Sequence, residues 1–113
     1  MNMDINHLTH EATDLLIKMV SIPSVSREEK EVADFLEKVL SDYGLNPHRN
    51  GHNIWSICPT YDPSKPTLLL NAHIDTVKPT SSWTISPFSP VIEDGKLYGL
   101  GTNDDGASVV SLL

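Results

Sequence analysis

The expected fold follows from an apolar run that ends in a histidine and an aspartate. The stretch reads Thr67-Leu68-Leu69-Leu70-Asn71-Ala72-His73-Ile74-Asp75-Thr76-Val77. Its first six residues follow a loop with two prolines, and helical patterns lie on both sides of it in the sequence. We therefore expect residues 67–72 to form a strand that is buried on both faces. The arrangement predicts an α/β fold, with a mixed, mostly parallel sheet flanked by helices.

Two amphipathic helices are predicted upstream of this strand. Apolar residues recur at helical spacing over residues 5–19. The first helix should end before the Ser21-Ile22-Pro23 turn, since proline disfavours helix at the residue before it. Ser26 and Glu29 fit a capping box, in which Ser26 caps the first turn of the second helix and Glu29 reaches back. Gly44 stands where a left-handed residue would end that second helix.

Turn and loop signals complete the expected organisation. Asn50-Gly51 predicts a hairpin between two short strands. Trp83 and Phe88 lie in a loop rich in proline, serine and threonine, and we expect them to anchor that loop in the core, with the lining of a pocket as the alternative. A further helix begins near Gly106 and reaches Leu113 within an apolar run. Because an uncapped helix is an unusual terminus, we expect the 113 residues to be part of a longer protein.

Composition excludes several classes of partner. The chain carries 8 basic and 15 acidic residues, a formal net charge of −7, which gives no footing for nucleic acid or an anionic membrane. The single cysteine excludes an internal disulfide. The first residues lack the profile of a signal peptide, and no apolar run approaches the roughly 20 residues of a membrane span. We expect a cytoplasmic protein without a membrane or nucleic-acid partner.

His73 and Asp75 are the first candidates for chemistry. They lie two positions apart, so in extended backbone their side chains point to the same side. Ligand sites of open α/β sheets gather at the carboxyl ends of strands, where this pair stands. An imidazole can bind a metal through one nitrogen while a carboxylate holds the other. A structural histidine with satisfied hydrogen bonds is the alternative.

A second motif follows 31 positions after His73, where Gly99-Leu100-Gly101-Thr102-Asn103 leads into Asp104 and Asp105. Adjacent carboxylates at the start of a helix are typical of cation binding, but either aspartate could instead be an N-cap. From spacing alone both interpretations stay open. A phosphate-binding glycine loop fits less well, because no Lys-Ser or Lys-Thr follows and carboxylates repel phosphate.

Taken together, these motifs resemble a known family of enzymes. The matching pieces are His73-Ile74-Asp75-Thr76-Val77, Trp83 with Pro87-Phe88, Asp94-Gly95-Lys96-Leu97-Tyr98-Gly99-Leu100-Gly101-Thr102, and Asp104. In this order they resemble the zinc metallopeptidase family of acetylornithine deacetylase, succinyl-diaminopimelate desuccinylase, aminoacylase and carboxypeptidase-type enzymes. The resemblance covers nearly the whole chain, and residues 94–102 look most like acetylornithine deacetylase.

The resemblance implies a role for each motif residue. His73 would ligate one zinc ion and Asp104 would bridge two, with cobalt able to substitute for zinc. Asp75 would join the catalytic residues as the carboxylate that orients His73 and raises its basicity. The peptide bond between Asp104 and Asp105 would be cis.

The resemblance also implies an activity and a larger protein. The expected reaction is hydrolysis of the amide bond of a small N-acyl amino acid, first of all deacetylation of an N-acetylornithine-type substrate in arginine biosynthesis. A desuccinylase, a dipeptidase or another aminoacylase is the alternative, and a non-catalytic module that keeps only the fold is the rival. Residues 1–113 would be the N-terminal part of the catalytic domain. The general base, the remaining ligands and a lid domain that forms a homodimer would lie beyond Leu113, so the chain alone should be inactive.

Overall fold

The structure is a computed structural model that describes residues 3–113. Its elements, in chain order, are α1 (Ile5–Val20), α2 (Lys30–Asp42), β1 (His48–Asn50), β2 (Asn53–Trp55), β3 (Val91–Glu93), β4 (Lys96–Tyr98), a π-helical segment (Thr102–Gly106) and α3 (Ala107–Leu112). Within this described range, no helix is both long enough and apolar enough to cross a membrane.

The core lies where the three helices meet. The predicted first helix is confirmed: α1 starts after Asp4, whose carboxylate accepts hydrogen bonds from two backbone N–H groups of the first turn. Its apolar stripe packs with those of α2 and α3 in one cluster of buried side chains: Leu15, Leu16, Met19, Val20, Val32, Leu36, Val109 and Val110. The left-handed end of α2 is confirmed as well, with Gly44 at φ +74°.

The start of α2 differs from the predicted capping box. The helix begins at Lys30, and Glu29 occupies the cap position without a capping side-chain hydrogen bond. Glu29 does reach back, but to the backbone N–H of Arg27 at 2.7 Å. Ser26 does not cap the helix, because its hydroxyl bonds to the Asp75 carboxylate. The Ser26 hydroxyl, which the local pattern predicted to cap α2, is therefore hydrogen-bonded to Asp75, 49 residues away.

Both short hairpins follow local turn chemistry. β1 and β2 pair antiparallel, with Arg49 opposite Ile54, and Gly51 takes φ +63° in the turn as the Asn-Gly signal predicts. β3 and β4 pair antiparallel around Asp94-Gly95, where both residues have positive φ. Such turns match the twist of the strands they join.

The strand expected at residues 67–72 is not formed, and its burial was wrongly predicted. Leu68, Leu69 and Leu70 are 82%, 81% and 57% exposed. The strand pairs in the described part of the chain are antiparallel, and the one parallel contact is an isolated bridge between Val25 and Thr76. The chain is thus a small mixed helix-and-strand fold. A buried strand needs neighbours on both edges and both faces, and residues 3–113 place none there.

Part of the acid sensitivity of this fold should depend on Glu29. Its hydrogen bond from the Arg27 N–H and its contact with His52, at 2.9 Å, hold its pKa below the ordinary value of 4.5 despite partial burial. A carboxylate with a lowered pKa in the folded state stabilises the fold above pH 4.5, and this contribution is lost as the pH falls from there. We expect the urea midpoint to fall below pH 4.5 less steeply in Glu29→Gln than in the wild type.

Glu28→Gln is the matched control for that measurement. Glu28 is exposed and has no ion pair among residues 3–113. Its variant should keep the wild-type slope, and an unchanged slope in Glu29→Gln would contradict the assignment.

Candidate metal centre

The segment that carries His73 and Asp75 is tied to the turn after α1. The Ser26 N–H donates to the Thr76 carbonyl at 2.9 Å, and the Thr76 N–H donates to the Ser24 carbonyl at 2.8 Å. These two bonds form the parallel bridge between Val25 and Thr76. They place residues 74–76 directly beside a turn about 50 residues earlier in the chain.

The loop that carries Asp104 and Asp105 is closed by two glycines. The Gly106 N–H donates to the Gly101 carbonyl at 2.9 Å, and Gly101 takes φ +84°. The cis peptide bond between Asp104 and Asp105, which the resemblance implied, is confirmed. Neither aspartate is an N-cap of α3, because Gly106 occupies that position.

His73 lies between the two motifs, with one ring nitrogen facing each. Its Nδ1 is 3.0 Å from the Asp75 carbonyl oxygen and 3.3 Å from Asp75 Oδ1. Its Nε2 is 3.0 Å from Asp104 Oδ1 and 4.0 Å from Asp105 Oδ2. The structure therefore brings together the three residues singled out in the sequence, His73, Asp75 and Asp104. Their roles in metal binding stay predictions.

Two contacts of this site were not predicted from the sequence. Asp105 Oδ2 accepts a hydrogen bond from the His73 backbone N–H at 3.1 Å, which joins the two motifs through the main chain. Ser26 bonds through its hydroxyl to Asp75 Oδ2. The Ser21–Ser26 turn was the available signal for Ser26, but the pattern was interpreted as a helix cap.

Electrostatics favour a cation among these side chains. Desolvation acts to lower the pKa of His73, but the hydrogen bonds to the Asp75 carbonyl and the Asp104 carboxylate outweigh it and raise that pKa above its ordinary value. The Ser26 hydroxyl is the largest cause of the lowered pKa of Asp75. The Ser108 hydroxyl and then the His73 N–H lower the pKa of Asp105. The lowered pKa values of Asp75 and Asp105 thus favour two charged carboxylates beside the imidazole.

A small cavity of about 20 Å³ adjoins His73 and Asp75. Its volume is roughly what one water molecule needs. His73, Asp75 and Asp105 supply its polar wall, and Met19 and Phe88 supply part of its apolar wall. Phe88 therefore lines a pocket at the site, the alternative given for it in the sequence. Trp83 lines a separate cleft beside the β3–β4 hairpin.

The side chains at this site are of the types that bind a divalent metal, but there are too few of them to complete a site. An imidazole nitrogen and carboxylate oxygens are ligands that zinc accepts, and the Asp104 side chain is 87% exposed at the front of the site. Over residues 3–113, however, no group of three or more His, Cys, Asp or Glu side chains is placed to hold a metal. His73 and Asp104 could supply two ligands of a site that needs more.

A histidine and a carboxylate held together in this way are the kind of donors that divalent-metal enzymes use. Comparison with known proteins agrees with this class. Residues 69–113 match the sequence pattern of peptidase family M20/M25/M40. This match confirms the resemblance described above.

Curated relatives cover nearly all of the chain. A succinyl-diaminopimelate desuccinylase of Anaplasma marginale is 31% identical over an alignment of 108 residues, which covers 91% of this chain and 28% of the relative. A desuccinylase of the same name from a Sulfurovum species is 32% identical, over 88% of this chain and 27% of the relative. An uncharacterised metallohydrolase of Methanocaldococcus jannaschii is 31% identical, over 94% of this chain and 31% of the relative. The chain therefore spans less than a third of the length of these relatives.

Proposed function

We propose that this chain supplies part of the active site of a metal-dependent hydrolase that cleaves the amide bond of an N-acyl amino acid. The observation that carries the proposal is the position of the His73 ring. Its Nδ1 faces Asp75 while its Nε2 lies 3.0 Å from Asp104, on the exposed side of the site. The family match supports the same class of reaction.

Each side chain would have a distinct task. His73 would bind one zinc ion through Nε2, and Asp104 would share its carboxylate between two ions. Asp75 would hold the Nδ1 side of the ring. Asp105 would fix the backbone of His73 by accepting a hydrogen bond from the His73 N–H. When bound, zinc would polarise the scissile carbonyl and lower the pKa of a water molecule to about 7.

The remaining parts of the site would come from outside residues 1–113. We propose that they include the general base, the other metal ligands and a lid domain through which two copies associate. The three exposed leucines at 68–70 support a larger domain, since further strands beside them would complete a mostly parallel sheet and bury them. The protein would act in the cytoplasm.

The acyl group has two candidates. The Asp94–Thr102 stretch resembles acetylornithine deacetylase, which favours an acetyl group and a place in arginine biosynthesis. The names of the relatives from Anaplasma marginale and Sulfurovum favour a succinyl group. Both substrates are N-acyl derivatives of a diamino acid with the same kind of amide bond, so both agree with the same metal chemistry.

An activity panel on the full-length protein tests this function. We expect hydrolysis of either N-acetylornithine or N-succinyl-diaminopimelate, loss of activity with a chelator, and recovery with zinc or cobalt. The 113-residue chain should hydrolyse neither, because on this proposal the general base and the other metal ligands lie outside it. A full-length protein that binds zinc but cleaves no member of the panel, dipeptides included, would favour the non-catalytic rival.

A further inference from the structure

The Ser26 hydroxyl makes a contact that no local pattern explains. It donates to Asp75 Oδ2, a residue 49 positions away, and lies 3.3 Å from the Thr76 carbonyl oxygen. A hydroxyl has one proton to donate, and the carboxylate is the nearer and the charged acceptor. The bond therefore restrains one oxygen of Asp75 and leaves Oδ1 facing His73 Nδ1 at 3.3 Å.

The placement of this hydroxyl does not depend on the bond itself. The Ser26 N–H and the Ser24 carbonyl are held by Thr76 through main-chain hydrogen bonds of 2.9 and 2.8 Å. An alanine at position 26 would keep both of them. What the hydroxyl adds is the orientation of the Asp75 carboxylate.

That orientation matters because two acidic groups compete for the proton of the neutral His73 ring. Asp75 faces Nδ1, and Asp104 Oδ1 lies 3.0 Å from Nε2. A metal can bind Nε2 only when that nitrogen carries a lone pair, so the single ring proton must reside on Nδ1. If the Asp75 carboxylate turned away, only the uncharged Asp75 carbonyl, 3.0 Å from Nδ1, would oppose the charged Asp104 carboxylate, and the stronger charge-assisted bond would draw the proton to Nε2.

We propose that Ser26 is a positioning residue that keeps the Asp75 carboxylate on the Nδ1 side of His73 and so keeps Nε2 available to a metal. The inference rests on the proposed function, since it gives His73 the role of a ligand. Within residues 3–113, the Ser26 side chain bonds to Asp75 and to the Thr76 carbonyl and not to His73 or Asp104. It acts on the site through Asp75.

The test measures the tautomer of His73 and the affinity for zinc in the full-length protein. Long-range ¹H–¹⁵N spectra of metal-free, histidine-labelled protein at alkaline pH give the ratio of Nδ1–H to Nε2–H tautomers, with His73→Gln used to assign the signal. We expect mostly Nδ1–H in the wild type and a shift toward Nε2–H in Ser26→Ala. Zinc affinity should fall about 10-fold, the lower end of the loss seen when a partner of a metal ligand is removed.

Three further variants separate positioning from general stability. Ser26→Thr keeps the hydroxyl and should restore both the tautomer ratio and the zinc affinity to within about 2-fold of the wild type. Ser26→Cys keeps the volume but offers only a weak donor, so it should show the same tautomer shift and loss of zinc affinity as Ser26→Ala. It takes the place of Ser26→Ala in the test if the alanine variant folds poorly. Ser64→Ala removes another hydroxyl bonded to an aspartate, Asp62 at 2.7 Å in a distant loop, and should change neither readout.

The outcomes distinguish this inference from the proposed function. Wild-type protein in which zinc leaves the His73 signals unmoved would overturn the proposed function. Wild-type protein that binds zinc through His73, with an unchanged tautomer ratio and affinity in Ser26→Ala and Ser26→Cys, would overturn the inference alone.

Discussion

Replacing Asp104 with asparagine should lower the zinc affinity of the full-length protein by more than about 100-fold, beyond what the loss of a ligand's hydrogen-bond partner costs. Asparagine keeps the shape of the side chain but removes the charge that would be shared between two cations. Amide hydrolysis should fall by at least about 1,000-fold, because a bound metal stabilises the transition state by several kcal/mol. Zinc titration and initial rates on the preferred acyl substrate measure the two effects.

The same change should leave the fold almost untouched. The Asp104 side chain is 87% exposed and bonds only to His73 within the described residues, so we expect a melting temperature within about 3 °C of the wild type. Asp14→Asn, an exposed aspartate on α1, is the matched control and should keep full zinc affinity and activity. Normal zinc binding by Asp104→Asn would remove this residue from the metal site.

Gly106→Ala should have the largest effect on stability among the changes considered, a loss of about 2–3 kcal/mol from overpacking. The backbone of Gly106 is already helical, at φ −57°, so alanine meets no conformational strain there. Its Cβ, however, would lie 2.5 Å from the Gly101 carbonyl oxygen and 2.7 Å from Leu16 Cδ1. The carbonyl belongs to the main chain of the loop and cannot rotate away as a side chain could.

The clash should also reach the site. Gly106 closes the loop of Asp104 and Asp105 through its hydrogen bond to Gly101, so a shifted loop should weaken zinc binding as well. Urea unfolding and zinc titration measure both effects. Ser111→Ala, an exposed change in the same helix, should alter stability by less than about 0.5 kcal/mol. A Gly106→Ala protein as stable as the wild type would show that the loop yields freely.

Local structure was predictable from the sequence where the interactions that form an element lie within one short segment. The stripe of α1, the left-handed Gly44 and the Asn-Gly hairpin all appear as expected, because side-chain periodicity and turn chemistry act over a few residues. The strand at 67–72 was predicted from its apolar content and its helical neighbours. Exposure of its leucines shows that such a run becomes a strand only when partner strands are present.

The site divides in the same way. By pattern and by family resemblance, the sequence alone selected His73, Asp75 and Asp104 as the candidate site residues, and their roles stay predictions. Only the tertiary structure decided that Ser26 serves Asp75 rather than α2, and that Asp105 holds the backbone of His73. The physical reason is the length of chain between the partners. A hydroxyl bonds to the partner that packing brings within reach. Here Ser26 donates to a carboxylate 49 residues away and does not accept from the N–H groups of the next turn, as a capping serine would.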